Sequence, residues 1–148
     1  MNIQYASLNH IDEISRLFDL YRQYYQCEPD PSLARAFIKS RIENNESDIF
    51  VALDGDKAGG FVQLYPSFCS IDAGRIYILH DLYVDSDQRK KGIGRSLMER
   101  STAWAKENGA VRLDLLTEHS NKAGQHLYES LGYKKMLEDY YAYSLGVS

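Results

Sequence analysis

Residues 76–104 constrain this chain more than any other stretch. Ile76-Tyr77-Ile78-Leu79-His80-Asp81-Leu82-Tyr83-Val84 is β-branched and aromatic, Asp85 to Gly94 is polar, basic and glycine-bearing, and a helical pattern follows to Trp104. A strand, a glycine turn and a helix in that order form a unit able to hold an anion. Glycine lets backbone amides approach a ligand closely, and a helix N-terminus offers unpaired N–H groups and a partial positive charge. The segment predicts a pyrophosphate cradle.

Two common phosphate turns do not fit it. A P-loop needs Gly-Lys-Ser/Thr, whereas Gly94 is followed by Arg95 and Ser96. A dinucleotide turn needs a third glycine at position 97, which is Leu97, and normally opens the first strand–helix unit of a doubly wound sheet. The remaining pattern, Arg89-x-x-Gly92-x-Gly94 after a strand, resembles the Arg/Gln-x-x-Gly-x-Gly/Ala turn that binds coenzyme A in the GNAT superfamily of N-acetyltransferases.

At 148 residues the chain suits one domain with a continuous core, expected here as a single N-acetyltransferase domain over residues 1–148. No apolar run approaches the ~20 residues that span a bilayer, and the first residues do not resemble a signal peptide, so no membrane association and a cytoplasmic location are expected. A net charge of −4 argues against nucleic-acid binding and favours a cationic small substrate. Cys27 and Cys69 show no metal-ligand spacing or disulfide framework and read as reduced thiols; no metal is expected.

The periodicity predicts the element order. Ile3 and Tyr5 suggest a short strand; Asn9 can cap a helix with Ile11, Ile14, Phe18, Tyr21 and Tyr25 on one face; and Ser32 can cap a second helix through Ile42. Residues 49–53 and 61–65 read as strands joined by an Asp54–Lys57 hairpin, with Pro66 ending the second. After the central strand and its helix, closed by Gly109, come a strand at 111–115, a helix from Asn121 to Gly132, and last strand material at Tyr133–Lys135 and Tyr140–Leu145. The order β-α-α-β-β-β-α-β-α-β is that of an α/β domain with a mixed sheet, and is similar to the GNAT fold.

A second motif extends the resemblance over most of the chain. Asn121-x-Ala123-x-x-x-Leu127-Tyr128-Glu129-x-Leu131-Gly132-Tyr133 looks like the superfamily's Asn-x-x-Ala...Leu-Tyr-x-x-x-Gly-Phe segment. The run Leu79-His80-Asp81-Leu82-Tyr83-Val84 is similar to the Leu-Glu-Asp-(Ile/Phe)-(Tyr/Phe)-Val strand of the spermidine/spermine N-acetyltransferase branch, with His80 in place of its glutamate.

The resemblance implies acetyl transfer from acetyl-CoA to a primary amine, of a small cationic molecule or a peptide, by direct attack in a ternary complex. It places Arg89, Lys90, Lys91, Gly92, Ile93, Gly94 and Arg95 on the pyrophosphate, the backbone of Leu82, Tyr83 and Val84 along the pantetheine arm, and Asn121 as a cofactor-contacting helix cap. It makes Tyr128 the acid for the departing thiolate, and it also implies a homodimer. An alkyl ammonium has a pKa of about 10.4, so at neutral pH only about one amine in a thousand carries the lone pair that attacks. A base or water wire is therefore expected, with His80 and Asp81 the candidates and Glu118 a weaker one. On a regular strand His80 and Asp81 would face opposite ways, and only a bulge would change that. Tyr21, Tyr24, Tyr25, Tyr140, Tyr141 and Tyr143, with Glu28 or Asp30, could line an acceptor pocket or serve as core and dimer interface. A noncatalytic CoA-binding or interaction module of the same fold is the alternative, and His80 is its main support.

Overall fold

Five strands, β1 (Asn2–Tyr5), β2 (Asp48–Asp54), β3 (Lys57–Cys69), β4 (Gly74–Val84) and β5 (Arg112–Leu115), lie side by side in chain order in the computed structural model, which describes residues 1–148. Neighbours pair antiparallel except β4 and β5, which are parallel. A parallel pair needs a crossover, and the helix α3 (Ile93–Glu107) supplies it. With α1 (Ile11–Tyr24) and α2 (Pro31–Glu43), these elements belong to a first compact unit, Met1–Leu116; a second, Thr117–Ser148, contains α4 (Lys122–Ser130). The architecture is the expected mixed α/β class.

Side-chain alternation along the inner strands sorts the sheet into two faces. Ile49, Val51, Leu53 and Phe61 join Ile14, Leu17, Phe18, Ala34 and Ile38 of α1 and α2 in one buried cluster. The intervening residues face α3: Phe50 meets Trp104 at 5.6 Å between ring centres, and a Cβ on Gly60 would sit 3.1 Å from Ile93 and 3.3 Å from Leu97. Gly60 thus lets the first turns of α3 settle close to the sheet. Each fully buried aromatic or leucine contributes on the order of 2 kcal/mol, so both faces are well anchored.

Several boundaries differ from the expected ones. Ser7, not Asn9, caps the chain's entry into α1, through a short 3-10 turn at Leu8–His10, with the His10 ring returning a bond to the Ser7 N–H. Asp30, not Ser32, caps α2 by accepting from Leu33 N–H, because Pro31 takes the first helical position, where its fixed φ and missing N–H cost nothing. Pro66 lies inside β3, opposite Tyr77. Since β2 pairs with β3 only as far as Leu64, the strand beyond is an edge that tolerates proline.

The expected last strand is absent. Neither Tyr133–Lys135 nor Tyr140–Leu145 forms strand, and Tyr140, Tyr141, Tyr143 and Leu145 are all exposed. Aromatic content favours a strand only where a ladder partner and a packed face exist. Here Tyr140 N–H instead closes a turn onto Leu137 carbonyl, with Leu137 itself left-handed. The sheet therefore has five strands rather than six.

Arg16 ties α1 to the sheet and to the start of the glycine turn. Its guanidinium donates to Glu13 at 2.9 Å, to Asp85 Oδ2 at 2.9 Å and to Ala58 carbonyl at 3.0 Å, while Glu13 Oε1 accepts from Ala58 N–H at 2.8 Å. The hydrogen bond from Arg16 is the main reason the Glu13 carboxyl is held below its ordinary value. A depressed carboxyl contributes stability that is present above its unfolded value and is lost as pH falls through the folded one. Melting curves should therefore show the wild-type protein losing stability more steeply than Glu13→Gln between about pH 5 and about pH 3; parallel curves would remove Glu13 from that role.

Candidate functional site

The turn between β4 and α3 is built to present backbone donors. Asp85 caps a 3-10 turn at Ser86–Gln88, and the chain then passes through two left-handed residues, Lys90 at φ +63° and Gly92 at φ +83°. Left-handed residues in such a run turn successive N–H groups toward one concavity, the nest geometry that binds anions. Gly92 is also the residue before α3, and no side chain caps that helix, whereas Asp30 caps α2 and Asn121 caps α4. The first bond inside α3 runs from Ser96 N–H to Gly92 carbonyl, so the amides of the preceding residues lie ahead of the helical ladder. A Cβ on Gly92 would meet no protein atom within 4 Å, so the space in front of the turn is open.

The basic side chains here divide their work. Arg89 folds back, its Nε donating to Val84 carbonyl at 3.0 Å and its guanidinium lying 5.5 Å from the Tyr83 ring centre, which pins the turn to the end of β4. Lys91 reaches Gln88 at 3.3 Å, and Lys90 and Arg95 are exposed. The first turn of α3 buries Ile93, which anchors the helix start while leaving its backbone forward.

Beside the turn, the end of β4 has an open edge. β5 pairs with β4 only from Ile76 to Leu79, so Leu82, Tyr83 and Val84 have a strand neighbour on the β3 side alone. Such an edge can pair with an extended ligand that carries amides.

At the point where the two strands part, β4 is irregular. Gln63 pairs with Asp81 but Leu64 pairs with Leu79, so His80 is an extra residue in the ladder. This corrects the expectation from regular alternation: the bulge turns His80 and Asp81 to the same face, and His80 Nδ1 lies 3.4 Å from Asp81 Oδ1. Their surroundings differ sharply. The His80 side chain is 65% exposed and that of Asp81 6%.

Asp81 sits in a polar pocket inside the α1 face. Gln63 Nε2 donates to its Oδ2 at 2.5 Å, and Ser47 Oγ lies 2.7 Å from Gln63 Oε1. Tyr21 donates its hydroxyl to His80 carbonyl at 3.1 Å, and the Tyr65 ring stands edge-on to the His80 ring at 5.5 Å. Burial first, then the Asp81 charge, pushes the Tyr65 phenol up to about 12 and raises Tyr21 as well. Both phenols are therefore donors at neutral pH.

The aromatic residues of α1 extend from that pocket: Tyr21 packs edge-on to Tyr25 at 5.1 Å, and Tyr25 to Tyr24 at 5.1 Å. Asp30 is committed to capping α2 and, through its own N–H, to Asp19; Glu28 is exposed. In the second unit, Asn121 accepts from Gly124 N–H at 3.1 Å and donates to Thr117 at 3.0 Å, the work of an N-cap. Tyr128 is half-buried on α4, 6.2 Å from the Tyr133 ring; Glu118 is exposed, its carbonyl accepting from Asn121 N–H. Nothing in the local sequence marks Ser47, and Gln63 is marked only faintly. The available signal was one amide within the apolar run Phe61–Tyr65.

The model of the acetyltransferase (GNAT) family matches residues 14–133. An uncharacterized N-acetyltransferase of Bacillus subtilis strain 168, YhfO, is 43% identical over 135 residues, covering 91% of each chain. A D-amino-acid N-acetyltransferase of Saccharomyces cerevisiae, HPA3, is 33% identical over 81% of this chain and 76% of its own. The crystal structure of a probable acetyltransferase superposes with a TM-score of 0.92 at 35% identity, covering 100% of this chain and 99% of that one.

Proposed function

This chain belongs to the acetyltransferase (GNAT) family of acetyl-transferring enzymes, and on that premise we propose that it transfers an acetyl group from acetyl-CoA to a primary amine by direct attack in a ternary complex. The observation that carries the cosubstrate assignment is the uncapped, left-handed entry to α3 beside the open edge of β4. The amides from Lys90 to Arg95 hold the pyrophosphate, with Arg89, Lys90 and Lys91 adding positive field. The backbone of Leu82, Tyr83 and Val84 pairs with the pantetheine amides, and the resemblance alone makes Asn121 a cofactor contact. The thioester supplies an activated acyl group and a thiolate leaving group.

The chain's own residues then handle protons. His80, exposed and backed by Asp81, accepts a proton from the incoming ammonium, so that a lone pair is available for attack. Tyr128 donates to the departing sulfur, a role that rests on the Leu127-Tyr128 motif. The family match runs across residues 14–133 and so supports reading 1–148 as one N-acetyltransferase domain.

The acceptor is a small cationic amine or a peptide amine. The net charge of −4, the Asp81 carboxylate and the Tyr21–Tyr25 aromatic rim favour a cation, and the likeness of Leu79–Val84 to the spermidine/spermine branch points the same way. No helix is long and apolar enough to cross a membrane; a cytoplasmic location and a homodimer complete the proposal, the latter on the resemblance alone. The test is release of CoA thiol across a panel of polyamines, amino acids, aminoglycosides and lysine-bearing peptides. Turnover with at least one amine is expected. Acetyl-CoA bound without turnover on any of them would favour the noncatalytic module.

A further inference from the structure

Resting on that reading of His80 and Asp81, we infer that Gln63 and Ser47 are positioning residues that fix the Asp81 carboxylate and, through it, the tautomer of the His80 ring. Gln63 is fully buried, Asp81 is 4% exposed and Ser47 7%. A buried amide is costly unless its hydrogen bonds are made, and here both ends are engaged.

The direction of each bond follows from the chemistry of the groups. A carboxylate only accepts, so the Gln63 nitrogen must face Asp81 and its carbonyl must face Ser47. The Ser47 hydroxyl then has to donate. Every proton in the chain Ser47, Gln63, Asp81 points toward the carboxylate, whose Oδ2 is thereby held while Oδ1 stays toward His80 Nδ1 at 3.4 Å. By the same logic Nδ1 carries the ring hydrogen, and the lone pair sits on Nε2, the nitrogen on the far side of the ring from Asp81.

Other groups around the pair do not compete for this role. Tyr21 approaches from α1, with Tyr25 packed against its ring, and Tyr65 from β3, and the raised phenols of Tyr21 and Tyr65 stay protonated. The charges of Arg41 and Glu46, which reach Tyr65 from the end of α2, are paired with each other at 3.1 Å. The Asp81 carboxylate, held by Gln63, is the group that faces His80 Nδ1.

Two readouts test this, and only the second depends on turnover. Long-range proton–nitrogen spectra of the wild-type protein should show neutral His80 as the Nδ1–H tautomer, with Ser47→Ala and Gln63→Leu shifting it toward a mixture. In kinetics, Gln63→Leu should lower kcat at least about tenfold, as expected for a misplaced rather than missing group, with KM for acetyl-CoA unchanged. The acidic limb of its kcat/KM profile should move to higher pH by about one unit, since a carboxylate no longer shared with an amide donor holds the His80 proton more tightly. Ser47→Ala should move it in the same direction by less, and carries the test if Gln63→Leu does not fold. A wild-type His80 in the Nε2–H form, or a limb that stays in place in both variants however much activity is lost, would overturn the inference and leave the acetyl-transfer reading standing. An acidic limb left unmoved by His80→Gln would overturn the base assignment on which the inference rests.

Discussion

Replacing His80 with glutamine is expected to lower kcat about 10²-fold at pH 7, the low end of what a positioned base contributes, and to replace the acidic limb that His80 sets in the kcat/KM profile with one at higher pH set by the amine's own titration. Glutamine keeps a polar side chain of similar reach on an exposed position, so the fold and acetyl-CoA binding should be retained. The reason the loss should be large is the scarcity of neutral amine, about one molecule in a thousand for an ordinary alkylamine at neutral pH. His80 stands at the surface of a bulge that Asp81 backs from inside. Raising the pH toward the amine's own pKa should recover much of the variant's rate, because the substrate then arrives deprotonated. A variant with wild-type turnover and an unchanged profile would assign the base to a water wire or to Asp81 alone.

Tyr128→Phe should have a comparable effect through a different step. Removing one hydroxyl from a half-buried position on α4 leaves the ring packed near Tyr133, and on the proposed role it takes away the donor for the departing thiolate. The expected result is a fall in kcat of about 10²-fold with acetyl-CoA affinity within about twofold of wild type. The two variants should respond oppositely to the leaving group. A thioester with a more acidic thiol should restore Tyr128→Phe far more than His80→Gln. Unchanged turnover in Tyr128→Phe would return that tyrosine to a packing role.

The sequence carried the parts of this account that depend on local chemistry. Gly92, Gly109 and Gly132 all occupy left-handed conformations where a helix begins or ends, and such punctuation is readable because few other residues take those angles without cost. The strand–turn–helix around Gly92 was legible for the same reason. What was not legible depends on partners distant in the chain. The bulge at His80 exists because β3 and β4 change register between Gln63 and Leu64, which alternation along β4 alone does not reveal. The pairing of Gln63 with Asp81 spans 18 residues, and that of Ser47 with Gln63 spans 16. Tyr140–Leu145 was misread for the converse reason: its composition suits a strand, but a strand needs a partner, and composition does not supply one.

The bulge also links fold to chemistry. A regular β4 would bury one of His80 and Asp81 against α3 and leave the pair divided between faces. The extra residue brings a buried carboxylate and an exposed imidazole to one side, close to where β4 and β5 separate.

The most direct test of the central claim, that the entry to α3 holds acetyl-CoA, is calorimetric titration of the intact protein with acetyl-CoA. The wild-type protein should bind with an affinity in the usual range for such cosubstrates, about 1 μM to about 1 mM. Gly92→Val should bind at least about tenfold more weakly, since a side chain at φ +83° costs ~1–2 kcal/mol of backbone strain and tilts the donor amides. Gly109→Val, with the same penalty at φ +72° at the other end of α3, should bind as wild type does. Absence of binding by folded wild-type protein to either acetyl-CoA or CoA would contradict the account.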